Sequence, residues 1–273
     1  MSKRIQSKTG TRGPARWALA GLAIILSAIG AGACPAVAQD VTTPSGYQFF
    51  VTPYLWLASV HATTMTPLER EPEVNSNVGV FQLLSHLDGA PFMGSAEARY
   101  GQLGFLVDAI HLPVSTNITT HDIFFRGGNA GLEANTGTGI ALYRVIEDPV
   151  QFADAGLGFR AWGFSANLSL NPGLLRGAAV SRSAGWADPL IGARYHRDLG
   201  NGFGLTAYGD FGGFGVGAHV DWQVLGTIDY ILNPSWNLHL GYRSLNFNIT
   251  GSEGSFGFNV HMRGPIIAGT FRF

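Results

Sequence analysis

The side chains best able to do chemistry in this sequence recur at every second position within short alternating runs. Glu97 and Arg99 share one parity, as do Asp154 and Arg160, Asp188 with Arg194 and His196, and Asp221 with Asp229. Asp108, Arg144, Asp210, Arg243 and Arg272 hold the corresponding place in other runs. A strand has a side-chain period of two, so each set falls on one face of its strand. Carboxylates and guanidiniums gathered on one face can interlock as bidentate, charge-assisted hydrogen bonds, which the planar fork of arginine favours over the point charge of lysine. The chemistry implied is ion pairing in a confined interior.

Other chemistries have weaker support. His111, His121, His196, His219, His239 and His261 are available as bases, but no Ser or His stands in a recognisable nucleophile motif. No His pair has metal-ligand spacing, so no metal or cofactor is expected. The Gly-rich stretch from Asp210 to Gly217 follows a strand but lacks the Lys-Ser/Thr of a phosphate cradle, and reads as a tight loop.

The elements carrying these residues are strands with two unlike faces. Val220, Trp222, Val224, Gly226, Ile228 and Tyr230 alternate with His219, Asp221, Gln223, Thr227 and Asp229. Trp236, Leu238, Leu240 and Tyr242 alternate with Asn237, His239, Gly241 and Arg243, and similar runs begin near Phe203 and Met93. Aromatics at both ends of the apolar series suit the girdles of a barrel that crosses a membrane. Ten strands are predicted, near 46–60, 91–101, 103–113, 138–147, 151–163, 184–197, 203–213, 218–231, 235–248 and 258–273. Connections alternate between short turns and longer loops, the longest at 61–90, 114–137 and 164–183. An even count with that alternation puts both termini on one side. Eight or twelve strands would also fit the pattern. Within 61–90, the spacing of Phe81, Leu84 and Leu87 predicts a short helix, with an extra strand as the alternative. Pro53, Pro113, Pro189 and Pro265 conflict with ladder pairing and are expected near strand ends, bulges or the rim.

The N-terminus reads as an export signal: Lys3, Arg4, Lys8, Arg12 and Arg16, then an apolar run from Trp17 to Ile29, then Ala36-Val37-Ala38. Cleavage is expected after Ala38, giving a signal peptide at 1–38 and a barrel at 39–273. Cys34 sits in a box that departs from the lipoprotein pattern at Ala31, where Leu is usual. After cleavage 12 Arg remain against 18 acidic residues (12 − 18 = −6) and no Lys. Such a chain is a poor match for nucleic acid, whose binding rests on phosphate neutralisation. Charged residues are 13% of the chain, about half the usual share, and no second long apolar run could serve as a membrane helix. The chain ends on Phe273 in an amphipathic strand, where Ile267, Phe271 and Phe273 oppose Thr270 and Arg272.

Several motifs together resemble a family of small, uncharacterised outer-membrane β-barrel proteins of Gram-negative bacteria. They are Thr52-Pro53-Tyr54-Leu55-Trp56-Leu57, Gly94 with Glu97-Ala98-Arg99, the run Trp186 to Arg194, the run Asp210 to Gly217, Trp222-Gln223, Gly241-Tyr242-Arg243 and the Gly264-Pro265 terminal strand. The resemblance spans nearly the whole chain after the leader. It implies an all-β, antiparallel up-and-down barrel in the outer membrane, and carries no catalytic residue.

On this reading Glu97, Arg99, Asp108, Arg144, Asp154, Arg160, Asp188, Arg194, Asp210, Asp221, Asp229 and Arg243 face the lumen as a charge network. Pairing around the turn at Gly101 predicts an Arg99–Asp108 ion pair extended by Glu97. The function expected is a structural barrel with a filled polar core, or a narrow polar-solute channel. A lipid-modifying enzyme and an adhesin-like surface protein are the alternatives. The expected partners are outer-membrane lipids and, through the strand ending in Phe273, the barrel-assembly machinery, with the protein as a monomer.

Overall fold

The computed structural model describes residues 46–65, 73–119, 125–249 and 257–273. The leader, Cys34, the cleavage position after Ala38 and His121 lie outside the described residues. Twelve strands and one helix follow in chain order: β1 (Tyr47–Trp56), β2 (Ser59–Met65), β3 (Glu73–Val78), α1 (Val80–Ser85), β4 (Phe92–Tyr100), β5 (Leu103–Ile118), β6 (Phe125–Asp148), β7 (Gln151–Pro172), β8 (Ala178–Gly200), β9 (Phe203–Gly213), β10 (Val220–Asn233), β11 (Trp236–Ile249) and β12 (Gly257–Arg272).

Ten of these strands close a wall. β1 pairs with β4, β4 through β12 each pair antiparallel with the next, and β1 seals the ring on β12 through Val51↔Phe271 and Leu55↔Ile267. β2 prolongs β1 past Leu57-Ala58 in unchanged register against β12, from Trp56↔Ile266 to Ser59↔Arg263, and β3 returns beside it. Closure removes every sheet edge in this belt, which the hydrocarbon requires because it offers backbone groups no partner.

The outward positions are aliphatic and exposed: Val51, Leu55, Val107, Leu157, Ile191, Leu205, Val224, Ile228, Leu238, Leu240 and Ile267. Aromatic pairs sit at the end of the barrel that carries the short turns, with Tyr47 against Tyr100, Phe203 against Tyr230 and Trp236 against Phe271. Those turns are tight, and Gly200-Asn201-Gly202 all have positive φ.

The four prolines lie inside strands, not at their ends, and each sits where one of its two ladders lapses. Pro53 pairs with Gly94 while the β12 ladder skips Thr52 and Pro53. Pro113 lies past His111, the last β5 residue paired with β4, and Pro189 lies before Leu190, the first residue of β8 paired with β9. Pro265 falls between the β1 and β2 stretches of the β12 ladder. A residue without an N–H donor costs little where no acceptor faces it.

The stretches 114–137 and 164–183, expected as loops, are mostly strand. β6, β7 and β8 run 24, 22 and 23 residues. At about 3.3 Å per residue and a tilt near 45°, they rise roughly 50 Å, about twice the apolar band of an outer-membrane barrel. In the 61–90 stretch the helix expected near Phe81 is α1. Leu83 N donates to Gly79 O at 2.9 Å to open it. The following residues tie to β5 through a Leu87↔Val114 bridge, with Ser115 N donating to His86 O at 2.8 Å. Among the described residues, α1 and this tie are what lies between the free edge of β3 and the upper part of β5.

Candidate functional site

The inward faces of the wall strands meet in three ties that cross the lumen. In the first, Arg99 Nη2 donates to Glu97 Oε1 at 3.0 Å and to Asp154 Oδ2 at 2.9 Å. Arg144 Nε donates to Asp154 Oδ1 at 2.9 Å. Arg194 donates to Glu97 Oε2 at 2.6 Å through Nη1, and to Asp154 Oδ2 at 2.7 Å through Nη2. Its anchor strands β4, β6, β7 and β8 line one arc of the wall, and the Arg194–Glu97 contact spans it. The Arg144 guanidinium also lies 3.9 Å from the centre of the Phe152 ring.

The second tie centres on Arg160. Its Nη2 donates to Asp210 Oδ2 at 2.7 Å, its Nη1 donates to Asp221, and its Nε donates to Thr138 Oγ1 at 3.0 Å. Trp162 Nε1 takes the other Asp221 oxygen at 3.0 Å, and Tyr208 Oη donates to Asp210 at 2.8 Å. Arg160, Asp210 and Asp221 expose no side-chain surface. A buried guanidinium is tolerable there because each edge of its fork meets an oxygen.

In the third tie, Arg243 Nη2 donates to Asp108 Oδ1 at 3.0 Å and to Gln223 Oε1 at 2.6 Å, and Nη1 donates to Tyr54 Oη at 2.9 Å. Tyr54 Oη in turn donates to Asp108 Oδ2 at 2.8 Å. β11 and β5 stand on opposite sides of the β1–β4–β12 arc, so this contact also reaches across the interior.

Two of the seven carboxylates among the twelve network residues, Asp188 and Asp229, have no arginine partner among the described residues. Asp188 accepts from Trp186 Nε1 at 2.9 Å and from the backbone N–H of Ala218 at 2.5 Å. Asp229 accepts from Thr227 at 2.6 Å and from Thr206, and lies 2.7 Å from His239 Nδ1. His239 Nε2 is 2.8 Å from Thr270 Oγ1, giving a hydroxyl–imidazole–carboxylate chain at the end of the lumen nearest the short turns.

The Arg99–Asp108 pair expected from the sequence is absent. The β4–β5 register places Arg99 opposite Gly104 and Asp108 opposite Ser95, four residues away along the strands. Gly104 leaves the space that the Arg99 guanidinium uses, since a Cβ there would sit 2.9 Å from Nη2. Arg99 turns to Asp154, and Asp108 is taken by Arg243. Sequence reasoning put Gln223 and Tyr208 on the polar faces of their strands without assigning them partners, and it missed Tyr54, Thr138 and Trp162, whose inward parity was the available signal.

Below the Arg160 tie a cavity of about 430 Å³ opens toward the short turns, lined by Glu97, Arg99, Asp108, Arg194 and Arg243 of the other two ties and by Gln48, Thr52 and His239. Above that tie the interior turns apolar. Trp162, Phe164, Trp186 and Phe247 pack together with ring centres 4.5 to 6.0 Å apart.

No protein-family model and no curated protein matches the sequence. Among solved structures the chain is similar to the outer membrane protease OmpT from Escherichia coli, at 10% identity and a TM-score of 0.53, covering 86% of this chain and 99% of that one. Ail, the attachment invasion locus protein of Yersinia pestis, is aligned at 10% identity over 84% of this chain and 99% of its own, with a TM-score of 0.33. The Pseudomonas putida toluene transporter TodX is aligned at 8% identity over 84% and 90%, also at 0.33. At these identities the likeness is one of fold. The closed ten-strand wall, its aliphatic outer belt and its aromatic girdle make this protein an outer-membrane β-barrel.

Proposed function

We propose that the barrel is a closed scaffold and not an open pore. Its lumen is divided by the Arg160 tie into a lower cavity lined by the other two ties and an apolar upper chamber. The observation carrying this reading is the burial of Arg160 between Asp210 and Asp221, three side chains from three strands with no exposed surface at mid-lumen. A water-filled path would leave such groups hydrated, whereas a packed path leaves them paired. In this reading the twelve charged residues fill and stiffen the core. The outer belt meets membrane lipid, the strand ending in Phe273 addresses the assembly machinery, and the protein works as a monomer. Liposome swelling tests it: proteoliposomes in an isosmotic arabinose solution should swell no faster than protein-free ones, and rapid swelling would overturn the reading.

A hydrolytic reading has one observation in its favour, the order Thr270, His239, Asp229, which is that of a nucleophile, base and orienting acid. Thr270 Oγ1 also lies 2.7 Å from Thr52 Oγ1, so the hydroxyl is engaged within the wall. A fluorophosphonate probe that labelled Thr270, and failed to label a His239→Ala variant, would establish this reading in place of the scaffold.

A further inference from the structure

We propose that the upper half of the lumen is a binding chamber for an uncharged hydrocarbon, chain or ring. The inference rests on the reading of the lumen as closed below, because the buried Arg160 tie lies under the chamber's aromatic floor. The cavity measures about 480 Å³, within the range of small-molecule sites, and among the described residues no Asp, Glu, Lys or Arg lines it.

Its floor and sides are built to offer carbon. Trp56 and Trp162 line the space while their indole N–H groups are used elsewhere, on Gly264 O at 3.3 Å and on Asp221 at 3.0 Å. Phe164 and Phe247 pack against Trp162, and Met93 and Met262 add thioether chains that adapt to irregular shapes. The few polar groups at the rim are partly spent, since His86 Nδ1 lies 2.7 Å from Gln82 O. A ligand bearing a charge would find no counter-ion and would lose its hydration, a large penalty. A ligand with no hydrogen-bonding need loses nothing.

The wall beside the chamber also differs from the rest. Above Phe92 the place of β4 is taken by α1, and a second cavity of about 70 Å³ lies between α1 and the wall, lined by Leu55, Leu57, Val80, Leu84 and Leu87. Leu55 belongs to the outward, lipid-facing series, so carbon-lined space approaches the chamber from the membrane side as well as from the open end. The same chemistry could therefore arrive as a free hydrocarbon or as a lipid acyl chain.

Bromine quenching of tryptophan separates these sources. The protein, expressed without residues 1–38 and so without Trp17, is placed in lipid nanodiscs in a Trp222→Phe/Trp236→Phe background, which removes the two lipid-facing indoles and leaves Trp56, Trp162 and Trp186 as reporters. Added 1-bromodecane should quench them saturably, and 10-bromodecanoate should need at least about tenfold more because its carboxylate would be buried unpaired. Ala134→Phe, which fills the chamber without touching the ties, should abolish saturable quenching, and Leu132→Phe serves as a second filler if the first impairs folding. If nanodiscs of acyl-brominated phospholipid quench the same tryptophans and Ala134→Phe relieves it, the occupant is a lipid chain and the proposal stands with that source. Linear, unsaturable quenching that is equal in the filled variants would overturn it. The swelling assay on the same protein is read separately: swelling with saturable quenching removes the closed-scaffold reading and keeps the chamber. No swelling with no saturable quenching does the reverse.

Discussion

Arg194 on β8 and Glu97 on β4 meet through hydrogen bonds of 2.6 and 2.9 Å although three wall strands separate them. A contact of that kind fixes the barrel's cross-section, because neither residue can relax along its own strand without breaking a bidentate pair. The Arg243–Asp108 and Arg160–Asp221 contacts repeat the device at other points. The side-chain network thus ties strands that the backbone ladder does not.

Removing one member of a buried pair strands the other. Arg160→Ala leaves Asp210 and Asp221 facing each other without their cation, and should destabilise the barrel by roughly 3–5 kcal/mol. Urea unfolding in liposomes, followed by gel mobility of the folded band, reads the loss. An effect below about 1 kcal/mol would match a surface pair instead.

Double-mutant cycles test the wiring. Arg243→Ala with Asp108→Ala should show strong coupling, and so should Arg99→Ala with Asp154→Ala. Arg99→Ala with Asp108→Ala should be additive within about 0.3–0.5 kcal/mol, since the two share no partner. Coupling in the last pair would restore the register expected from the sequence.

Leu240 faces outward, 60% exposed, between Ile228 and Ile267 on the neighbouring strands. Leu240→Arg should cost on the order of 2–4 kcal/mol if the position lies near the bilayer midplane. Folding into vesicles at the parent's yield and stability would place β11 with the opposite face to lipid.

Gly158 on β7 lies where a Cβ would come within 2.1 Å of Gly139 O and 2.7 Å of Ile140 Cα. Both obstacles are backbone, so Gly158→Ala has to displace β6 from β7 and should abolish the heat-stable folded band on a gel. At Gly104 the first obstacle is the end of the Arg99 side chain, which can swing, and Gly104→Ala should fold with reduced stability.

Where the lumen is polar the sequence was readable. Asn237, His239 and Arg243 alternate with Leu238, Leu240 and Tyr242, and the contrast marks both strand and face. Where the lumen is apolar the contrast inverts: Ile110, Leu112 and Val114 point inward, while His111 beside Asn135, and Glu133, take the alternating outward places. That is why the upper halves of β5 to β8 read as loops and the chamber went unseen. Which arginine meets which carboxylate was not legible either. The partners come from strands far apart in sequence, and a register error of two residues moved Asp108 out of reach of Arg99. Proline placement was half legible, as the conflict with the ladder was visible and the lapses that resolve it were not.

Planar-bilayer recording tests the closed lumen most directly. The unaltered protein, incorporated in 1 M KCl and held at moderate voltage of either sign, should give no stepwise ohmic current. The Arg160→Ala/Arg243→Ala variant, which removes two ties from the middle of the lumen, should give discrete openings. Steady ohmic steps from the unaltered protein, unchanged in the variant, would contradict the account.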